Sequence, residues 1–247
     1  MRLLGVIPAR LGSTRLPNKP LQLLAGEPLV TRVVERVRAL AIIDALVVAT
    51  DSPMVAEVVA RTGVPAVLTR ADHPSGSDRV AEVAARPEYR EFDVIVNLQG
   101  DEPFLSAAAL EGAVARVRDG DDVGTAAAPL DPAQAGDPSR VKVVMDVRGR
   151  ALYFSRAPIP FRRDPQASAD GLYWQHIGLY VWTRGALERW VRLAPTRAEE
   201  AEKLEQLRAL EHGLTIGVAR LSEPALPGID TPEDLRRAET YWRSQRG

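Results

Sequence analysis

The sequence predicts an α/β fold built on a Rossmann-like, mixed and mainly parallel sheet flanked by helices. Short apolar stretches, "LLGVIP", "ALVVAT" and "DVIVNLQ", alternate with segments whose apolar residues recur at helical spacing. That alternation implies right-handed βαβ units. The chain has 247 residues, 45% of them hydrophobic, which suits one large core.

The elements follow in order. "LLGVIP" reads as a buried strand. "PLVTRVVERVRAL" is a helix, with Pro28 suited to its first position. "ALVVAT" is the second strand, followed by Asp51 and the helix "MVAEVVART" with Gly63 as its stop. "PAVLTR" is a short strand and "DRVAEVAAR" a helix. "DVIVNLQ" is an apolar strand that ends at "GDEP", and "SAAALEGAVARVRD" is the next helix.

After about residue 120 the pattern turns β-rich: "VGTAAAPL", "VKVVMD", "RALYFSR" and "HIGLYVW" are strands or hairpin arms. "DVRGRA" is a hairpin turn carrying Gly149. Residues 158–171 are polar and proline-rich and read as a mobile or functional loop. "RAEEAEKLEQLRALEHG" predicts one continuous helix with Ala201, Leu204, Leu207 and Leu210 buried and Glu205 and Gln206 flanking that stripe in solvent. "TIGVAR" is a strand. "DTPEDLRRAETYWR" is a final helix capped by Thr231, with Asp234 three residues on, which leaves Asp230 free to point elsewhere.

Composition excludes several classes. The net charge is −1, so no global basic field invites nucleic acid. There are no cysteines, which rules out disulfides, thiolate metal sites and a cysteine nucleophile. No apolar run approaches the roughly 20 residues needed to span a bilayer, and the apolar N-terminal stretch is too short for a signal peptide. The expectation is a cytoplasmic protein.

In an open parallel sheet, ligands bind beyond the carboxyl ends of the strands. Four polar clusters lie at such ends: Arg10 to Lys19, Thr50-Asp51, Thr69 to Arg79, and Gln99-Gly100-Asp101. The first holds three cations, Arg10, Arg15 and Lys19, with Gly12 and Ser13 between them and no acid. A strand-end loop can aim backbone N–H groups at phosphate, and arginine forks grip phosphate oxygens in pairs. Neither a Walker loop nor G-x-G-x-x-G occurs, which disfavours a nicotinamide cofactor. Asp101 sits in a glycine turn where a hard divalent cation can use its carboxylate, and Asp230 can supply a second. The parts are those of a phosphoryl- or nucleotidyl-transfer site. Ser75, Gly76 and Arg79 can read a base or ribose, while His73 beside Pro74 reads as structural. Arg156, His176 and Tyr180 together suit an acidic, hydroxyl-rich substrate. Each of these also reads as an ordinary solvated loop, turn or edge strand, and only their convergence points to chemistry.

The ordered motifs "IPARLGSTRLPNKPL", "VATD", "TRADHPSGSDR", "IVNLQGDEP", "VKVV", "ALYFSR", "HIGLYVW", "LEQLR" and "GIDTPEDL" resemble the 3-deoxy-manno-octulosonate cytidylyltransferases nearly end to end. The resemblance implies a nucleotide-diphospho-sugar transferase fold in one domain over residues 1–247, with roughly 130–190 supplying sugar-binding and dimerisation elements. It implies transfer of CMP from CTP to the anomeric hydroxyl of the sugar acid Kdo, with release of pyrophosphate, for lipopolysaccharide biosynthesis. It implies Mg²⁺ as cofactor and a homodimer. Arg10, Gly12, Ser13, Arg15, Lys19, Ser75, Gly76, Arg79 and Gln99 would hold CTP. Gln99, Arg156, His176, Tyr180, Glu205 and Gln206 would hold the sugar acid. Asp101 and Asp230 would hold the metal, and Arg10, Lys19, Asp101 and Asp230 would carry catalysis. No protein base is assigned. The chain departs from the family at Asn18, where glycine is usual, at Ser77, where threonine is usual, and at Gln175, where a basic residue is common.

Two alternatives stand beside this expectation. One is a cytidylyltransferase for a related acid, an 8-amino Kdo analogue or a sialic-type sugar; "ALYFSR" with "LEQLR" argues against the sialic case. The other is a nucleotide-binding module without turnover, against which the retention of both Asp101 and Asp230 argues.

Overall fold

The computed structural model describes residues 1–13, 15–164 and 166–244. The chain forms two compact units. One comprises Met1–Leu105 with Leu226–Gly247, the other Ser106–Ala225.

The first unit opens with β1 (Leu3–Ala9), whose residues are almost all buried. A small hairpin, β2 (Leu23–Leu24) and β3 (Glu27–Pro28), leads into α1 (Leu29–Leu40). Leu29, Val30, Val33, Val34 and Val37 form the buried stripe of α1 at helical spacing. Next come β4 (Ala45–Thr50), α2 (Pro53–Ala60), β5 (Ala66–Leu68), α3 (Gly76–Ala84) and β6 (Val94–Asn97). Ser52 caps α2, with Pro53 at its first position, and Ser75 caps α3 through the Asp78 N–H. The strands pair in the order β6-β1-β4-β5, all parallel, with Leu3 opposite Val94 and Leu4 opposite Ala45. Their carboxyl ends therefore lie along one edge.

The second unit begins with α4 (Ala107–Arg118), capped by Ser106. It continues with β7 (Val123–Pro129), β8 (Lys142–Met145), β9 (Ala151–Ser155) and β10 (Trp174–Thr183). Then follow α5 (Arg184–Trp190), α6 (Arg197–Glu202), α7 (Gln206–Glu211) and β11 (Ile216–Arg220). β7 pairs with β11 in parallel and with β10 antiparallel; β8 joins β10 to β9. The β8–β9 turn is the expected hairpin, with Gly149 at φ 77°, where a side chain would be strained. In the 158–171 loop, Ala169 is buried with Leu130, Ala135 and Tyr173, which anchors its far end; Pro165 lies outside the described residues.

The chain returns to the first unit with α8 (Pro232–Ser244). Together these elements make the expected α/β class, with a mixed, mainly parallel sheet flanked by helices.

One expectation fails. The segment 197–213 is not one helix. Lys203 adopts the left-handed region at φ 54° and separates α6 from α7. Arg156 explains the break: its guanidinium donates to the Glu202 and Lys203 carbonyls, which lack helical partners where α6 ends. The kink turns Leu204, Gln206, Leu207 and Ala209 inward, while Ala201 is exposed. Gln206 is thus buried rather than solvated.

Candidate active site

The loop after β1 is held by its apolar residues. Leu16 and Pro20 are buried, Arg10 and Arg15 are exposed, and Lys19 is half-buried. The Leu16 N–H donates to the Ser13 hydroxyl, and Ser13 N–H to the Leu11 carbonyl. Asn18 takes the left-handed region at φ 53°, a conformation that asparagine tolerates in place of the family's glycine. It starts the short turn Lys19–Leu21, which directs Lys19 into the cleft. Thr14 lies outside the described residues.

The end of β6 meets the end of β1 closely. A Cβ on Gly100 would fall 2.7 Å from the Pro8 carbonyl oxygen, so only glycine lets Gln99 and Asp101 approach the Arg10 loop. The result is a polar cavity of about 300 Å³. It brings together every residue assigned to CTP: Arg10, Gly12, Ser13, Arg15, Lys19, Ser75, Gly76, Arg79 and Gln99. Asp101 and Asp230 line it as well.

Lys19 sits between the two acids. Its Nζ lies 2.5 Å from Asp101 Oδ2 and 2.8 Å from Asp230 Oδ1, and Arg15 reaches Asp230 Oδ2 at 3.0 Å. Burial acts to lower the Lys19 pKa, but the two carboxylates outweigh it and raise it. For Asp230, burial pushes upward and is outweighed by Lys19 and Arg15, so its carboxyl is held below the usual range. Glu102 is the opposite case. Burial, with Asp101 and Asp230 beside it, pushes its carboxyl up to about 8.

Asp230 is available because another residue starts α8. The Thr231 hydroxyl accepts from the Asp234 N–H, and Asp234 Oδ2 accepts from the Thr231 N–H at 2.9 Å. This reciprocal cap is the one the sequence predicts. The Ile229 N–H donates to the Asp101 carbonyl at 2.9 Å, which ties the two acid-bearing segments together.

Arg79 is 2% exposed, bonded to the Thr69 hydroxyl and paired with Asp51 at 3.1 Å. Asp51 after β4 and Thr69 after β5 therefore reach the cavity through Arg79, whereas His73, Ser75 and Gly76 line it directly. His73, which reads as structural in the sequence, does bond to Glu82. It also lines the cavity with Pro8, Ala9, Pro20 and Gly100, residues whose apolar or backbone character gives no signal of a site.

In the second unit, His176, Tyr180 and Glu205 form one chain of contacts. The rings of His176 and Tyr180 lie 5.5 Å apart, and Trp190 packs on Tyr180 while donating from Nε1 to Glu205 at 2.6 Å. Thr125 Oγ1 lies 2.6 Å from the Leu179 carbonyl, to which it donates, so His176 Nε2 is its donor at 3.0 Å. Burial takes His176 down to about 3, so the ring is neutral. The Tyr180 hydroxyl is raised by burial and then by Glu205. The Arg156 guanidinium bonds to the backbone carbonyls of Pro138, Glu202 and Lys203. Gln175, the departure from the family, accepts from Arg140 at 2.7 Å, which brings a basic side chain to that position from elsewhere.

A strand-end loop of cations facing two carboxylates, on a mainly parallel α/β sheet, defines a nucleotide-handling protein. The chain belongs to the cytidylyltransferase family, whose model matches residues 4–216, and within it to the 3-deoxy-manno-octulosonate cytidylyltransferases. It is 56% identical over 245 residues to the 3-deoxy-manno-octulosonate cytidylyltransferase of Gemmatimonas aurantiaca, covering 98% of this chain and 95% of that one. It is 48% identical over 237 residues to that of an Anaeromyxobacter species, covering 96% and 95%. Among solved structures it is similar to CMP:2-keto-3-deoxy-manno-octonic acid synthetase complexed with CTP. The TM-score there is 0.91 at 38% identity, covering 99% of this chain and all of the other.

Proposed function

We propose that this protein transfers CMP from CTP to the anomeric hydroxyl of Kdo, releasing pyrophosphate. The observation that carries the reading is the cavity in which Arg10, Arg15 and Lys19 face Asp101 and Asp230. The choice of CTP follows from the nucleotide complexed in the similar solved structure, and that of Kdo from the names of the relatives.

In this reading the sugar hydroxyl oxygen forms a bond to the α-phosphorus, and the bond from that phosphorus to the pyrophosphate oxygen breaks. The hydroxyl proton leaves to solvent. Arg10 forms no ion pair among the described residues, so its fork is available to phosphate. Lys19 exchanges the acids for the triphosphate when the nucleotide enters. Gln99 contacts the bound ligands, and Arg79, fixed by Asp51, borders the nucleoside end with Ser75 and Gly76. Orientation and charge neutralisation supply the rate. Arg156, His176, Tyr180, Glu205 and Gln206 receive the sugar acid. Support comes from Arg156, whose guanidinium meets neutral carbonyls of Pro138, Glu202 and Lys203 and so retains capacity for a carboxylate.

The two acids suit Mg²⁺. Both offer hard oxygen donors, and the Lys19 ammonium bound between them supports the reading that the pair can take a cation. Asp101 and Asp230 would hold the ion, which when bound neutralises phosphate charge and lowers the pKa of the attacking hydroxyl. We further assign the protein to the cytoplasm, serving lipopolysaccharide biosynthesis; no helix among the described residues is long and apolar enough to cross a membrane. A homodimer formed by the second unit is supported by exposed Val147, Leu152, Tyr153 and Phe161.

Pyrophosphate release tests the reading, with CTP, a panel of sugar acids, and Mg²⁺ present or chelated. Release with Kdo that needs Mg²⁺ is expected. Release only with another acid would overturn the substrate, and none with any acid would favour a binding module. Asp101→Asn and Asp230→Asn should lower turnover far more than CTP affinity; wild-type rates in both would refute the metal assignment.

A further inference from the structure

Lys142 is fully buried, yet it carries a charge that no part of the proposed chemistry uses. Its ammonium donates to the backbone carbonyls of Asp137 at 3.0 Å, Arg140 at 2.5 Å and Arg156 at 2.6 Å. An ammonium has three donors, and all are spent on neutral oxygens. No salt bridge to Lys142 occurs among the described residues. A buried ammonium is costly to desolvate; the Asp137 and Glu202 carboxylates nearby favour its charge without bonding to it, and an apolar side chain would fill the same space without that cost.

The β8–β9 ladder does not require it, since Lys142 pairs with Ser155 through the backbone. What the ammonium adds is a junction between the 137–140 segment and the residue that follows β9. Those same segments hold the Arg156 fork, whose terminal nitrogen donates to the Pro138 carbonyl at 2.9 Å. The Arg156 N–H is fixed by Glu202 at 2.8 Å, and its C=O is fixed by Lys142. Arg156 is therefore clamped at both ends of its backbone, and its side chain spends three donors on carbonyls. A guanidinium has five N–H groups, so two remain for an oxyanion.

We propose that Lys142 is a positioning residue for the sugar acid. By pinning the Arg156 carbonyl and the 137–140 carbonyls, it aims the Arg156 fork at the sugar carboxylate. The inference rests on the function proposed above and names a residue through which Arg156 is placed. Lys142 touches no substrate and acts through Arg156 alone.

A double-mutant cycle tests it. The wild type is assayed with CTP and either Kdo or its 8-amino analogue, and the cycle uses the acid that turns over. If neither does, the functional reading falls and this inference falls with it. With an active wild type, Lys142→Gln should raise the KM for the sugar acid about tenfold or more and leave the KM for CTP within about twofold. On an Arg156→Ala background the same change should add less than about twofold, because coupled residues are not additive. Should Lys142→Gln fail to fold by circular dichroism, Lys142→Arg, which keeps the charge and displaces the donors, enters the cycle under the same criteria. An unchanged sugar KM, an equal rise in both KM values, or a full multiplicative effect in the double variant would overturn the inference and leave the functional reading standing.

Discussion

Replacing Lys19 with methionine removes the one ammonium that both acids share. In the nucleotide-free protein it makes two charge-assisted bonds, at 2.5 and 2.8 Å, with its side chain only 17% exposed. Bonds of that kind contribute about 1.5–3 kcal/mol each, so the gross loss is about 3–6 kcal/mol. The loss is partly recovered. Asp101 and Asp230 are 23% and 43% exposed and can take up water, and Arg15 remains on Asp230. The net destabilisation should be about 1–3 kcal/mol, or roughly 2–12 °C in Tm for a chain of this size. The effect on chemistry is larger. Removing one preorganised donor from a site of developing charge costs about 10²–10³ in kcat. Pyrophosphate release at saturating CTP and sugar acid, beside a thermal melt, separates the two effects. A variant that melts normally and turns over within about threefold of wild type would show Lys19 to be only a counter-ion for the acids, and the assignment would be wrong.

Two further outcomes follow from the same cleft. Glu102, pushed up to about 8 from an ordinary value of 4.5, holds a proton in the folded chain that the unfolded chain has released. Its folded value is raised, so in metal-free protein stability should fall as pH rises from about 5 to 8, by up to a few kcal/mol. Glu102→Gln should flatten that slope in urea unfolding across the range, and an unchanged slope would sink the claim. Thr231→Ala removes the cap of α8 and should cost about 1 kcal/mol while lowering turnover only mildly. Asp230→Asn should do the reverse; equal losses of turnover in both would mean that the cap, not the carboxylate, is what matters.

The first unit is largely legible because each buried strand is an apolar run that ends at a turn residue. "LLGVIP", "ALVVAT" and "DVIVNLQ" appear as β1, β4 and β6; the loops after β1 and β6 line one cavity, while Asp51 after β4 lies behind it, paired with Arg79. The reciprocal cap of Thr231 and Asp234 is legible for the same reason, since it is a local pattern. What escapes is tertiary. Nothing local in "RAEEAEKLEQLRALEHG" announces a break at Lys203; it depends on Arg156, which arrives from β9 to satisfy the end carbonyls of α6. Gln206 is expected in solvent only if the helix is continuous, and it is not. The loop pattern places Lys19 with phosphate, but not between Asp101 and Asp230, because residues 82 and 211 positions away give no local trace. Lys142 reads as one polar residue in an apolar strand, and its three carbonyl partners are visible only in the structure.

The discontinuity of the first unit has a consequence for synthesis on the ribosome. The chain leaves that unit after Leu105 and re-enters it at Leu226, whereas the second unit is a single uninterrupted stretch. Asp230, one of the two carboxylates at the cleft, is translated only after the whole of the second unit. A nascent chain can thus complete residues 106–225 while its nucleotide cleft still lacks an acid. Premature termination anywhere between Asp101 and Asp230 yields a polypeptide with the cation loop but only one of the paired carboxylates, so truncated products are born without the intact site.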